Sequence, residues 1–243
     1  MPRPLPNRRP ARPAGGRQRA MPLRRAAASV RGYPKGGETR AAIIAAALAE
    51  FGALGFTQAT TRGIAEAAGV ALPAIAYYFG SKQGLYLACA EEIVGRYYQH
   101  AAGLAAEAGF ALDQAIAPER CRAYLRQILR VLLRVFAQSD EGQSRADFVS
   151  REIRDRGPAF EILYQKLWQP GVEIVARLVA GSLGRKQPQD ADVADALMLI
   201  SSLLAFHAGR AVSLRILGWK RLDTAAMAIL DAAIDRLVDG IRR

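Results

Sequence analysis

Residues 60–82 read TTRGIAEAAGVALPAIAYYFGSK, rich enough in alanine and isoleucine for one long helix, yet Gly69 stands at the centre and Pro73 four residues on. Inside a helix, glycine costs about 1 kcal/mol relative to alanine and proline about 3. Two breakers between helix formers predict two short helices with a bend at Gly69. Proline is tolerated in a first turn, where its missing N–H has no helical partner, so Pro73 sets the second start near Ala71. Ile64, Ala68, Val70, Ile75 and Phe79 then share an inner side, facing the helix before. Helices meeting steeply across a short glycine turn form a helix-turn-helix; spacing alone also allows an ordinary hairpin in a bundle.

The helix before carries Ile43, Ile44, Ala47, Leu48, Phe51 and Leu54 at spacings of three and four and should stop at Gly55. Residues 57–61 offer an N-cap for the next helix, and Ser81 caps a long one running to about Tyr98. Further helices are expected over residues 118–138, 144–156, 158–180, 191–217 and 223–243, separated at Gly157, Gly181 and Gly218. With 51% apolar and 23% charged residues and no alternating Val/Ile/Thr runs, the chain reads as a soluble all-α protein. The expected division is an arm over residues 1–37, a three-helix helix-turn-helix domain over 38–97, and a helical ligand-binding and dimerisation domain over 98–243.

A helix-turn-helix lays its second helix in the DNA major groove while the first crosses the backbone. Here the second would be residues 71–78, with Ala71, Leu72, Pro73, Ala74, Ala76, Tyr77 and Tyr78 as outward candidates. Thr60 and Thr61 suit phosphates, and Arg62 a guanine edge or a phosphate. Lys82 stands at a helix N-terminus, which already favours an anion. Between Ala71 and Ala76 no Arg, Asn, Gln or Lys is available for a bidentate base contact. Each such contact is worth roughly 1–3 kcal/mol of discrimination. Specificity is therefore expected from Arg62, Tyr77, thymine-methyl contacts and DNA shape.

The stretches TTRGIAEAAGV and PAIAYYFGSKQGLY, with AALAEFGALGF before them, resemble the DNA-binding domain of the TetR family of one-component repressors. That resemblance implies DNA contacts from Thr61, Arg62, Tyr77, Tyr78 and Lys82; Pro73 has a counterpart in the tetracycline repressor. Many members carry an aromatic or amide residue where Ala76 stands, a departure that removes one base contact. Further on, SREIRDRGPAFEILYQKLWQPGVEIVARLVAGSLGR and AFHAGRAVSLRILGW resemble the CecR-like branch of the same family. The resemblance implies a homodimer through the last two helices, a double-stranded DNA operator, and a small-molecule effector that controls its occupancy.

Leu125, Ile128, Leu129, Leu132, Leu133 and Phe136 form a broad apolar helix face, and Phe148, Phe160, Tyr164 and Trp168 add aromatics nearby. A ligand pocket is expected among Ile128, Leu132, Phe136, Phe148 and Trp168, with Glu152 and His207 orienting the ligand, although plain core would use the same residues. Arg122, Arg126, Arg130 and Arg134 recur every fourth position, as a solvated face or an anion-binding strip. Val193, Leu197, Ile200 and Leu204, then Met227, Leu230, Ile234 and Leu237, give the last two helices more apolar surface than one partner needs.

The net charge of +12 suggests nucleic acid until it is located: residues 1–37 hold ten basic residues, no acid and seven prolines. Such a segment cannot bury enough surface to order itself and is expected to be disordered. The near-neutral remainder argues against the alternative, a non-specific nucleoid-type DNA-binding protein. The arm either reaches the minor groove beside the operator or is the product of an over-long reading frame. No Walker loop, GxGxxG or HExxH is present, and His100 and His207 stand apart from acidic clusters, so no enzyme, catalytic residue, metal or cofactor is expected. No signal-peptide core is seen, residues 196–208 are too short an apolar run to span a bilayer, and Cys89 and Cys121 lack CxxC spacing. Reduced core thiols in a cytoplasmic protein follow.

Overall fold

The computed structural model describes residues 36–137 and 140–241, all helix and connection with no strand among them. Helix α1 (Gly36–Gln58) opens at Gly36, two residues before the expected start, and buries Ile43, Ile44, Ala47, Leu48 and Phe51. At Gly55 the backbone leaves the helical region (φ 81, ψ 171), so the expected stop is a kink, after which one more turn runs to Gln58. Helices α2 (Thr61–Ala68) and α4 (Lys82–Tyr97) pack on α1, and α3 (Leu72–Phe79) packs on α2 and α4, around a core of Ile64, Ala65, Ile75, Leu85, Tyr86, Cys89 and Ile93. Full burial of one such aliphatic or aromatic side chain contributes about 1.5–3 kcal/mol, which lets helices of only eight residues persist.

The chain does not leave the helix near Tyr98. It widens into a π-helical turn, Tyr98–Ala102, and continues as α5 (Gly103–Asp113), a helix whose alanine-rich sequence carries no apolar stripe to betray it. Helices α6 (Pro118–Ala137), α7 (Asp140–Asp155) and α8 (Phe160–Leu163) follow, then a second π-helical turn, Tyr164–Trp168, and α9 (Gln169–Ser182). Pro170 in the first turn of α9 has no N–H to give back, and the π-helical turn lies directly before it. The single helix expected over 191–217 is divided at Gly209 (φ −89, ψ 20) into α10 (Asp190–Ala208) and α11 (Arg210–Leu217); α12 (Thr224–Asp239) ends the described chain.

Two apolar cores result. The second gathers α5, α6, α9, α10 and α12 around Leu125, Leu129, Val175, Leu178, Val179, Leu203 and Ile234. The first is not confined to the N-terminal helices, because Phe148 of α7, Ala159 and Leu163 of α8 are buried in it. Cys89 and Cys121 are buried free thiols, one in each core.

The arginine stripe of α6 is neither a solvated face nor a free anion strip. Its residues interlock with three aspartates of α12: Arg134 meets Asp231 at 3.0 Å, and Arg130 meets Asp235 at 2.6 Å. Arg126 meets Asp235 at 3.4 Å and also pairs with Asp239. Arg122 instead donates to the Ser182 carbonyl at 2.9 Å. Both stripes repeat every fourth residue, so once the apolar faces meet, the ions fall into register.

The apolar residues of the last helices divide. Ile234 is buried, and Ile200, Met227 and Leu230 pack against the second core, so these do not form a free face. Val193, Leu197 and Leu237 are exposed as expected, joined by Met198 (72% exposed) and Ile229, which the spacing had not singled out. Helices α1 and α10 are long and apolar enough to cross a membrane by length and composition alone, so α10 exceeds the short run at 196–208 on which a span was excluded. In the fold α1 buries its apolar face in the first core and α10 buries Ala196, Leu199 and Leu203 in the second. The arm, up to residue 35, lies outside the described residues.

Candidate functional site

Gly69 is the bend, and its geometry is fully accounted for. It adopts the left-handed conformation (φ 67, ψ 31) after the last turn of α2. Its N–H donates to the Glu66 carbonyl at 3.1 Å, and the Val70 N–H donates to the Ala65 carbonyl at 3.0 Å. These paired bonds are a Schellman motif, which satisfies the end of α2 and turns the chain sharply. A Cβ at Gly69 would meet nothing within 4 Å, so the glycine is required by backbone conformation and not by space. Thr60 caps α2, its Oγ1 accepting from the Gly63 N–H at 3.0 Å. Ser81 caps α4 likewise through the Gly84 N–H at 3.0 Å. Pro73 sits in the first turn of α3, as its chemistry requires.

The bend tips α3 outward. Ile75 is buried while Ala71, Leu72, Pro73, Ala76 and Tyr77 are exposed, Tyr77 by 83%. Ala74 and Tyr78 are half-buried against the first core, which leaves them less free than their neighbours. The two tyrosine rings meet edge-on, centroids 5.0 Å apart. Thr60 and Arg62 lie exposed beside α3, and Thr61 is half-exposed. Arg62 pairs with Glu66 at 3.0 Å, both side chains well solvated; such a pair is worth about 0.3–0.5 kcal/mol and yields readily to a stronger anion. Lys82 is held back: its Nζ donates to the Thr57 carbonyl at 3.2 Å and lies 4.8 Å from the Phe56 ring centroid.

A separate cavity of about 180 Å³ opens among α4, α6, α7, α9 and α10. Ile128, Leu132, Trp168 and His207 line it together with Ile93, Tyr97, Val149, Val172, Val175 and Leu204. Arg96, His100, Arg145 and Ser150 add polar groups that the apolar spacing had not suggested. Phe148 and Glu152, expected in this lining, are not part of it. Phe148 stacks in the first core, its ring centroid 4.7 Å from that of Tyr86. The side chain of Phe136 lies outside the described residues.

Glu152 has a different function in the fold. It is 1% exposed and accepts from the Tyr86 hydroxyl and, at 3.1 Å, from the Ala159 N–H. Burial raises its carboxyl above the ordinary range, and the two hydrogen bonds pull in the opposite direction. Tyr86 belongs to α4, so this bond ties α4 to α7. Arg151 adds a second tie, donating to the Gly52 and Ala53 carbonyls of α1 at 3.2 and 2.7 Å. Helix α7 therefore walls the cavity through Arg145, Ala146 and Val149 while gripping α1 and α4.

An all-helical chain that presents a short exposed helix from a glycine bend, with an apolar cavity among its later helices, has the architecture of a helix-turn-helix protein. Comparisons agree: residues 43–89 match the family described as bacterial regulatory proteins, tetR family. Residues 121–241 match the C-terminal domain of the HTH-type transcriptional dual regulator CecR. The protein of that name from Shigella flexneri is 32% identical over 209 residues, covering 84% of this chain and 92% of its own. The chain belongs to the TetR family of bacterial, DNA-binding transcriptional regulators, in its CecR-like branch. Among solved structures, a TetR-like regulator from Rhodococcus sp. RHA1 aligns with a TM-score of 0.58 at 21% identity, over 86% of this chain and 99% of its own. FadR of Bacillus subtilis, solved with stearoyl-CoA, aligns at 0.54 and 16% identity, over 82% and 97%; both likenesses are of fold.

Proposed function

We propose that the protein is a homodimeric, ligand-responsive repressor that binds a palindromic operator in the cytoplasm. Residues 38–97 serve as its DNA-binding domain and residues 98–243 as its effector and dimer domain. The observation that carries this reading is the left-handed bend at Gly69, which turns Leu72, Pro73 and Tyr77 out to solvent on α3. In the complex α3 enters the major groove, with Ala71, Leu72, Pro73, Ala74 and Tyr77 against base edges and thymine methyls and Tyr78 at the margin. Thr60, Thr61, Arg62 and Lys82 take the phosphates; Arg62 and Lys82 first leave Glu66 and the Thr57 carbonyl.

One eight-residue helix buries too little surface for specific binding, and paired half-sites lie roughly 34–36 Å apart. Dimerisation through α10 and α12 is supported by the exposed Val193, Leu197, Met198, Ile229 and Leu237. Exposed apolar side chains on two helices are candidates for an interaction surface. The effector occupies the cavity lined by Ile128, Leu132, Trp168 and His207 and shifts the dimer between two states according to its differential affinity for them. The name of the Shigella flexneri relative, a dual regulator, favours a second reading in which some promoters are activated.

The test is selection of genomic DNA fragments on the purified full chain. An inverted repeat is expected, bound by a dimer far more tightly than random DNA at equal salt, and weakened when uracil replaces thymine in the half-sites. Equal affinity for both DNAs would refute operator recognition.

A further inference from the structure

We propose that the cavity is one part of a longer site for an acidic amphiphile, and that its other part is the groove beside it formed by α1, α4 and α7. The proposal rests on the reading of this cavity as the effector site. Size is the first argument. At about 180 Å³ the cavity is little larger than an engineered void of about 150 Å³ that takes up benzene, and smaller than the roughly 300 Å³ at which sites for drug-sized ligands begin. By itself it holds a ring or a short chain. The adjoining groove measures about 570 Å³ and runs along Arg40, Ile44 and Leu48 of α1. Arg96 and Arg145 belong to the walls of both, so the two hollows adjoin at that pair of arginines.

Charge is the second argument. The basic residues among the described lining are Arg96, His100, Arg145 and His207, of which Arg145 and His207 already hold interactions of their own, so Arg96 is the charge on which the proposal rests. Glu92 in the groove holds Arg96 at 3.0 Å, an exposed pair of the weak i,i+4 kind that an incoming anion displaces. An apolar group therefore enters between Leu132 and Trp168, its acidic group stays with Arg96 and Arg145, and any longer head extends to Arg40. An occupant whose head extends along the groove touches α1, α4 and α7 at once, and so acts on the DNA-binding helices directly; one confined to the cavity touches α4 and α7 but not α1.

Isothermal titration of the purified full chain with octanoate, octanol and octanoyl-coenzyme A tests this. Octanoate is expected to bind about tenfold or more tightly than octanol. Arg96→Gln and Arg145→Gln abolish that preference by lowering octanoate affinity far more than octanol affinity, and Arg96→Lys retains it. Arg40→Gln weakens octanoyl-coenzyme A alone. Circular dichroism of each variant separates local loss from misfolding. Equal affinity for octanoate and octanol, or no uptake of any probe, overturns the proposal, as do glutamine variants that keep the preference; an Arg40→Gln variant indifferent to the coenzyme A head overturns the groove half. Specific DNA binding is measured separately on the same protein. A chain that binds its operator and ignores the probes sinks the two-part site alone; one that takes up the probes and binds no specific DNA sinks the regulatory reading alone.

Discussion

The Tyr86 hydroxyl donates a hydrogen bond to Oε1 of Glu152 in the protein interior, joining α4 to α7 across 66 residues of sequence. Around it the Tyr86 ring packs against Phe51 and Phe148, each with its centroid 4.7 Å away. Gly157 closes the other side, where any Cβ would collide with the Glu152 carboxylate. A helix that walls the cavity is thereby locked to α4 and, through Arg151, to α1.

Tyr86→Phe keeps the ring packing and leaves one buried carboxylate oxygen without its donor. The expected loss is about 1–3 kcal/mol in urea unfolding. A change below a few tenths would mean that the bond contributes little to the junction.

Glu152 also predicts a pH dependence. Burial raises its carboxyl above the ordinary value, so the fold holds this proton more tightly than the unfolded chain does. That contribution is complete below the ordinary glutamate range and is lost as pH rises through the raised value. Glu152→Gln cannot titrate. Its stability deficit relative to the wild type should therefore be largest at the acid end and shrink as pH rises.

Gly69→Ala should cost about 1–2 kcal/mol, because alanine resists the left-handed conformation and no clash or contact compensates. Gly69→Asn should lose less, since asparagine visits that region more easily. Thermal unfolding ranks the three; an alanine variant as stable as the asparagine one would contradict the backbone explanation.

The arginine–aspartate ladder predicts salt sensitivity. Asp235 takes Arg130 through both oxygens, at 2.6 and 2.8 Å, and Arg126 at 3.4 Å. All three side chains are partly solvated, so Asp235→Asn should cost no more than about 1 kcal/mol. The screening length falls from about 10 Å at 0.1 M salt to about 3 Å at 1 M, and the cost should fall with it. An equal melting-temperature shift at both salts would show that something other than charge is lost.

Gly181→Ala places a Cβ 2.6 Å from the Cys121 sulfur and 3.3 Å from Leu112 Cδ2. Overpacking of this kind costs about 1–3 kcal/mol. Adding Cys121→Ala removes the sulfur, and the double variant should be more stable than the sum of the two single losses implies; simple additivity would place the strain elsewhere.

Residues 60–82 were legible because their determinants are local. Gly69, Pro73, Ser81 and Thr60 act on backbone groups within a few positions of themselves, so the bend, the caps and the outward face of α3 follow from the string. Gly209, by contrast, breaks the 191–217 helix with a change too slight for composition to announce.

The sequence alone therefore determined the bend at Gly69, the two short helices around it and the all-helical class, since short-range stereochemistry leaves few alternatives. Only the tertiary structure decided which apolar face meets which core. Helical spacing marks Phe148 as inward but does not say that its neighbour is Tyr86 and not the cavity. Four arginines in step are visible in the string, but Arg130 finds Asp235 105 residues later, and only packing brings them together. Partners so far apart are chosen by the sum of many buried contacts, and no window of sequence contains that sum.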